Sequence, residues 1–226
     1  MRPGMFTRWL MGWGVVCGGL TAVEAQIPVP PVRTYSVKVD LVPLMASGYH
    51  VSVEKLWGPT YRHALVLTPQ FYHGKVQNIT SDVTDGRNVV RGYGLAVQHR
   101  IYLSERTTPQ EGFYVGYGPH YQHFELEFRA SSWQPEVADN GLTYYEYRAR
   151  NQKETINRYG ATAVLGGQLF LPDLPIFLDV YMGFGLRKAH ARATLPGSHY
   201  SRGMSDYGTS GYYLPVGFRV GVAWCK

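Results

Sequence analysis

Few residues in this chain are spaced for chemistry. His199-Tyr200-Ser201 sets an imidazole and a hydroxyl two positions apart, the types in which a histidine base can activate a serine nucleophile. The pair lies in a polar stretch, Ala193 to Ser210, beside Gly197 and Gly203; coincidence in a loop accounts for it better than catalysis does. His63, His73, His99, His120, His123, His190 and His199 are scattered. Only His120 and His123 are close, and an odd spacing turns them to opposite faces of a strand unless a bulge intervenes, so no metal-ligand set is expected. Asn78-Ile79-Thr80 fits a glycosylation sequon, which by itself means little. There is no phosphate loop and no arguable carboxylate pair. The residues that remain are Lys38, Asp40, Glu54, Arg100, Asp179, Arg187 and Arg219. They are far apart in the chain but occupy equivalent positions in alternating segments. No catalytic residue, metal or cofactor is implied.

Those positions are set by strands. From Tyr213 to Trp224, Leu214, Val216, Phe218, Val220, Val222 and Trp224 fall on one face, against Pro215, Gly217, Arg219, Gly221 and Ala223. A two-residue period makes this a strand. Its bulky apolar side is unbroken and its other side is small or charged. A soluble sandwich places its bulk inward and its polar residues outward; a small barrel in lipid inverts that. Ile176 to Leu186 repeats the theme, with Asp179 and Arg187 on the small side. So do Tyr35 to Leu41, Tyr49 to Glu54, Ala64 to Phe71, Gly92 to Tyr102, and Gly112 to Tyr121. Near His123 the apolar parity moves by one, to Phe124, Leu126 and Phe128, and a β-bulge is the expected cause. His99 is a mild misfit on an apolar face. The sixth strand runs from about Tyr144 to Leu171, and Pro172 to Pro175 forms a tight turn.

The expected fold is therefore all-β: an eight-stranded antiparallel up-and-down transmembrane β-barrel. Short turns alternate with longer connections, as in outer-membrane barrels, although the connection near Ala46 is short. Lipid leaves no backbone group unpaired, so the sheet must close. Eight strands enclose a lumen only wide enough for side chains, and Lys38, Asp40, Glu54, Arg100, Asp179, Arg187 and Arg219 are expected to pair there as a plug, because an unpaired buried charge is costly.

Residues 1–25 read as a signal peptide: Arg2 and Arg8, an apolar run from Trp9 to Leu20, and a small-residue site ending at Ala25. Val16 before Cys17 argues against a lipoprotein. Residues 26–33 form a proline-rich periplasmic arm and 34–226 the barrel. After cleavage one cysteine remains, Cys225, so no internal disulfide can form. The net charge of +6 is dispersed; without a Lys/Arg block nothing points to nucleic acid, and outer-membrane lipid is the expected contact.

Gly48-Tyr49-His50-Val51-Ser52-Val53-Glu54, Gly92-Tyr93-Gly94-Leu95 with Arg100-Ile101-Tyr102-Leu103, and Leu178 to Arg187 resemble the small outer-membrane barrels of the Bacteroidota. That group is catalogued as a domain of unknown function, similar in architecture to the OmpX type. The resemblance implies residence in the outer membrane of a Gram-negative bacterium and no established chemistry. A structural or surface-interaction role is expected, from a non-enzymatic monomer. One alternative is a lipid-modifying hydrolase like the lipid A deacylases, whose H-x-S spacing His199 and Ser201 share. Another is a secreted lipocalin-like ligand barrel, which the inverted faces oppose. Strands five and six exceed a membrane crossing, so the hairpin 122–158 is expected to protrude and to offer an edge to a surface or host protein.

Overall fold

The computed structural model describes residues 33–75, 88–103, 110–172, 174–194 and 207–225. The expected signal peptide, most of the expected arm, Asn78, and the His199/Ser201 pair lie outside them.

Alternating β-branched and aromatic residues build β1 (Tyr35–Asp40), β2 (Gly48–Trp57), β3 (His63–Lys75), β4 (Val89–Tyr102), β5 (Gly112–Val137), β6 (Thr143–Phe170) and β7 (Ile176–Ala193). The eighth ring position is held by β8 (Gly211–Tyr213) and β9 (Val216–Trp224); Leu214-Pro215 separates them, proline having no N–H for the ladder. From β1 to β7 each strand pairs antiparallel with the next, β7 pairs with both β8 and β9, β9 returns to β1, and the ring closes. The connection after β1 is a 3-10 turn, Pro43–Ala46, ended by Ser47 in the left-handed conformation. Among the described residues no helix is long and apolar enough to cross a membrane.

The stagger can be read from the register. From Asp40, partners run through His50, Gln70, Gly94, Gln122 and Arg158 to Ala189. The other way round, Asp40 meets Arg219 and then Asp179. The two arrivals on β7 differ by ten residues, a shear that tilts the strands by about 35–45°.

Outward residues are apolar over a band. On β7 these are Ile176, Leu178, Val180, Met182, Phe184 and Leu186, with Val180 55% and Met182 65% exposed. The lumen side carries buried Ser36, Lys38, Asp40, Ser52, Glu54, Arg100 and Asp179. Apolar outside and polar inside is the transmembrane arrangement. Aromatic rings bound the band: Tyr35 stacks on Trp224 at the turn end, and Tyr49, Phe71 and Tyr93 are consecutive partners at the other.

The parity change near His123 is not a bulge. The β4–β5 and β5–β6 registers stay constant through it, with Gly92 facing Phe124 and Phe124 facing Ile156. What changes is the solvent. Above Tyr121 the outward residues become His123, Glu125, Glu127 and Arg129, while Phe124, Leu126 and Phe128 continue inward and are buried. On β7 the outward face changes likewise after Leu186, to exposed Lys188, His190 and Arg192. The strands leave the lipid there and the barrel acquires an ordinary apolar core: Tyr72, Val90, Phe124, Leu126, Phe128 and Ile156, with Ala189 and Tyr207 against it.

β5 and β6 go further still. β4 accompanies β5 only to Glu127, and β7 accompanies β6 only as far as Glu154. Phe128 to Lys153 is thus a two-stranded ribbon, shorter than the expected 122–158, turning at Ala138–Leu142 with Gly141 at φ 81°.

Candidate functional site

The lumen has three storeys, and the lowest is an ion plug. Lys38 Nζ lies 2.5 Å from Glu54 Oε2 and 3.1 Å from Asp179 Oδ2. Arg100 Nη1 reaches Asp179 Oδ2 at 3.0 Å and Glu54 Oε2 at 3.8 Å. Arg219 Nε donates to Asp40 Oδ2 at 3.1 Å, and its Nη1 stands 3.7 Å from Asp179. Three cations thus face three carboxylates, at side-chain exposures of 9% or less. Such burial is tolerable only when the remaining lone pairs are also satisfied, and hydroxyls complete the set. Tyr102 donates to Glu54 at 2.7 Å, Tyr114 to Asp179 at 2.6 Å and Tyr181 to Asp40 at 2.6 Å. The same rings carry cations on their faces: Arg100 lies 4.1 Å above Tyr114 and Arg219 4.0 Å above Tyr181.

Glycines make room for those rings. A β-carbon at Gly166 would land on Tyr114, and one at Gly217 on Tyr181. Gly166 and Gly217 are therefore the counterparts of aromatic residues on neighbouring strands.

Six of the seven charges selected from the sequence meet in the plug. Arg187 does not join its described ion pairs; it lies one storey up, stacked 4.7 Å over Tyr213. Tyr102, Tyr114, Tyr181 and Gln168 belong to the plug but were not among the selected residues. Their signal was inward parity, masked because tyrosine is equally at home on a lipid-facing girdle.

The middle storey is a cavity of about 170 Å³ lined by Arg158, Arg187, Arg219, His50, His120 and several glutamines. A polar belt roofs it. His50 and Tyr72 are 2.8 Å apart, Gln122 donates to Gln70 at 2.6 Å and to the Tyr72 hydroxyl at 2.8 Å, and Arg158 Nε donates to Gln122 Oε1 at 2.8 Å. The top storey is the apolar cluster around Phe124.

On the exterior, His99 is not an isolated misfit. Its Nε2 is 3.2 Å from His63 Nδ1 and its Nδ1 is 2.9 Å from the Tyr117 hydroxyl, while Trp57 stacks on both imidazoles. Among the described residues, no three His, Cys, Asp or Glu are grouped to hold a metal.

The ribbon has two unlike faces. Trp133, Pro135, Tyr145 and Tyr147 share one, with Trp133 tilted against Tyr147 at 5.1 Å. The other carries Glu136, Glu146, Arg148 and Arg150, where Glu136 pairs with both arginines. The hydrogen bond and charge of Arg150, then the charge of Arg148, hold the Glu136 carboxyl below its usual range.

No family model matches this chain, and no curated protein matches it. Solved structures similar to it include Acinetobacter baumannii CarO, 13% identical with a TM-score of 0.41, covering 86% of this chain and 98% of that one. CarO2 of the same organism is 12% identical with a TM-score of 0.40, over 86% and 99%. Likeness at this distance carries no functional argument.

Proposed function

We propose that this protein is a sealed, non-enzymatic barrel of a Gram-negative outer membrane that acts by presenting its hairpin to another protein. Export by the signal peptide 1–25 and a monomeric state belong to the same reading. The observation that carries it is a blocked lumen combined with a ribbon that outruns its neighbours. Lys38, Glu54, Arg100 and Asp179 pair across the lumen with fully buried side chains, which favours a surface role over transport. Beyond Glu127 and Glu154, no further strand among the described residues pairs with either ribbon edge, and such edges can accept an added strand. The partner class is a surface or host protein.

Two measurements test it. Planar-bilayer recordings of the refolded protein should show no stable large conductance. A chain with Ala130 to Arg150 replaced by Asn-Gly should refold but lose capture of the surface protein that wild type retains. Equal capture by both chains would reject the hairpin as the site.

A further inference from the structure

We propose that the exterior of β7 beyond Leu186 holds the phosphate of an outer-leaflet lipid headgroup, with Lys188, His190 and Arg192 as its ligands. This goes beyond the sealed-barrel reading and shares with it only the membrane. The apolar seat is continuous with the lipid-facing band. Phe184, Leu186 and Tyr212 are 48%, 50% and 71% exposed. Leu186 is the partner of Tyr212, and the Phe184 and Tyr212 rings lie 5.3 Å apart. The next three outward residues of β7 are Lys188, His190 and Arg192, all exposed. At a strand rise of about 3.4 Å per residue, Lys188 lies roughly 7 Å along the tilted strand from Leu186. A headgroup layer about 5–7 Å thick covers the hydrocarbon at that height. Lys188 and Arg192 are ~14 Å apart along the strand, and their long side chains can converge on a group placed over His190.

The charge on this strip is unmatched, unlike that on the neighbouring collar, where Arg91 faces Glu125 and Lys153 reaches Glu127 at 2.8 Å. The β6 partners of Lys188, His190 and Arg192 are Tyr159, Asn157 and Thr155, none of them acidic. Neither Lys188 nor Arg192 forms an ion pair among the described residues. The β6 side chains supply more donors. The Tyr159 hydroxyl is 3.2 Å from His190 Nε2 and the two rings stack, which fixes the imidazole at the centre of the strip. Asn157 Oδ1 accepts from the Tyr121 hydroxyl at 2.9 Å and lies 2.8 Å from His123 Nδ1, leaving its amide nitrogen to donate beside His190. Ammonium and guanidinium groups together are phosphate binders. A free phosphate would use the cations alone. A phosphate-bearing lipid also covers Phe184, Leu186 and Tyr212 with its acyl chains, so it fits both parts of the surface.

The test uses the chain refolded in dodecyl maltoside, a detergent without phosphate or charge. Phosphatidic acid and phosphatidylcholine are titrated in ammonium acetate at physiological ionic strength, and bound lipid is counted by native mass spectrometry. Wild type should retain one phosphatidic acid at concentrations where phosphatidylcholine is not retained. Lys188→Gln with Arg192→Gln should weaken that retention at least about tenfold. Lys75→Gln with Arg91→Gln, the same charge removed from β3 and β4, should leave it unchanged. Absence of a preference for phosphatidic acid in wild type overturns the proposal, whether or not the variants refold. Equal weakening by the two double variants overturns it too, since that is general attraction to a basic protein. So does displacement of the lipid by an equal concentration of inorganic phosphate, which would make the strip a free-anion site. Replacing Ala130 to Arg150 leaves every residue of the strip in place, so protein capture by the hairpin and lipid retention by β7 can fail separately.

Discussion

Asp179 and Val180 are adjacent in the chain and belong to different solvents. Val180 is 55% exposed on the lipid side, whereas Asp179 is fully buried against Lys38, Arg100 and the Tyr114 hydroxyl. Val180→Arg should cost roughly 2–4 kcal/mol near the bilayer midplane, read as reduced refolding yield into lipid vesicles. Asp179→Asn keeps its shape and should still insert, but it strands cations and should lower the unfolding free energy by about 3–5 kcal/mol. Urea titration in vesicles separates the two effects. In a double-mutant cycle, Lys38→Met with Glu54→Gln should show coupling of about 0.5–3 kcal/mol; strict additivity would mean that the 2.5 Å contact carries no energy. Gly217→Val should cost about 1–3 kcal/mol, because its side chain must displace the Tyr181 ring.

At the scale of the element, the ribbon Phe128 to Lys153 has to hold itself together without a third strand, and a lone hairpin is marginal in water. Cross-strand pairs supply what holds it: Trp133 with Tyr147, and Glu136 with Arg148 and Arg150. The Glu136 carboxyl is held below its usual range by its arginines. A depressed folded value means a contribution that is complete above the ordinary glutamate value of about 4.3 and is lost as pH falls through the lowered one. Amide exchange across 133–147, normalised to the intrinsic rate, should therefore rise below that window. Glu136→Gln should show the raised exchange already at neutral pH. The barrel strands should show neither change, because the ribbon is joined to them only at its base.

For the whole molecule, the order of storeys matters more than any one of them. A charged plug, a polar chamber and an apolar cap follow one another up the lumen as the exterior passes from apolar band to charged collar. Heat-modifiability on gels should survive replacement of Ala130 to Arg150, since the plug and closed ring lie below the cut. If that chain loses the folded band, the ribbon is part of the barrel's stability and not a separate presenting element.

Period-two alternation with bulk on one side was enough to indicate an eight-stranded transmembrane barrel, because lipid demands both the inverted faces and the closure. The inward parity of Lys38, Asp40, Glu54, Arg100, Asp179 and Arg219 was equally legible, since a strand has only two faces. Partner choice was not. Whether Glu54 meets Lys38 or Arg100, and why Arg187 lies a storey above Asp179, depends on a ten-residue stagger that accumulates around the ring and appears in no single strand. The same holds for Phe124, Leu126 and Phe128. Their altered parity was visible in the chain, but a bulge and a change of surroundings leave the same alternation, and only the unbroken register of β5 against its two neighbours decides that the strand runs straight while the medium around it changes.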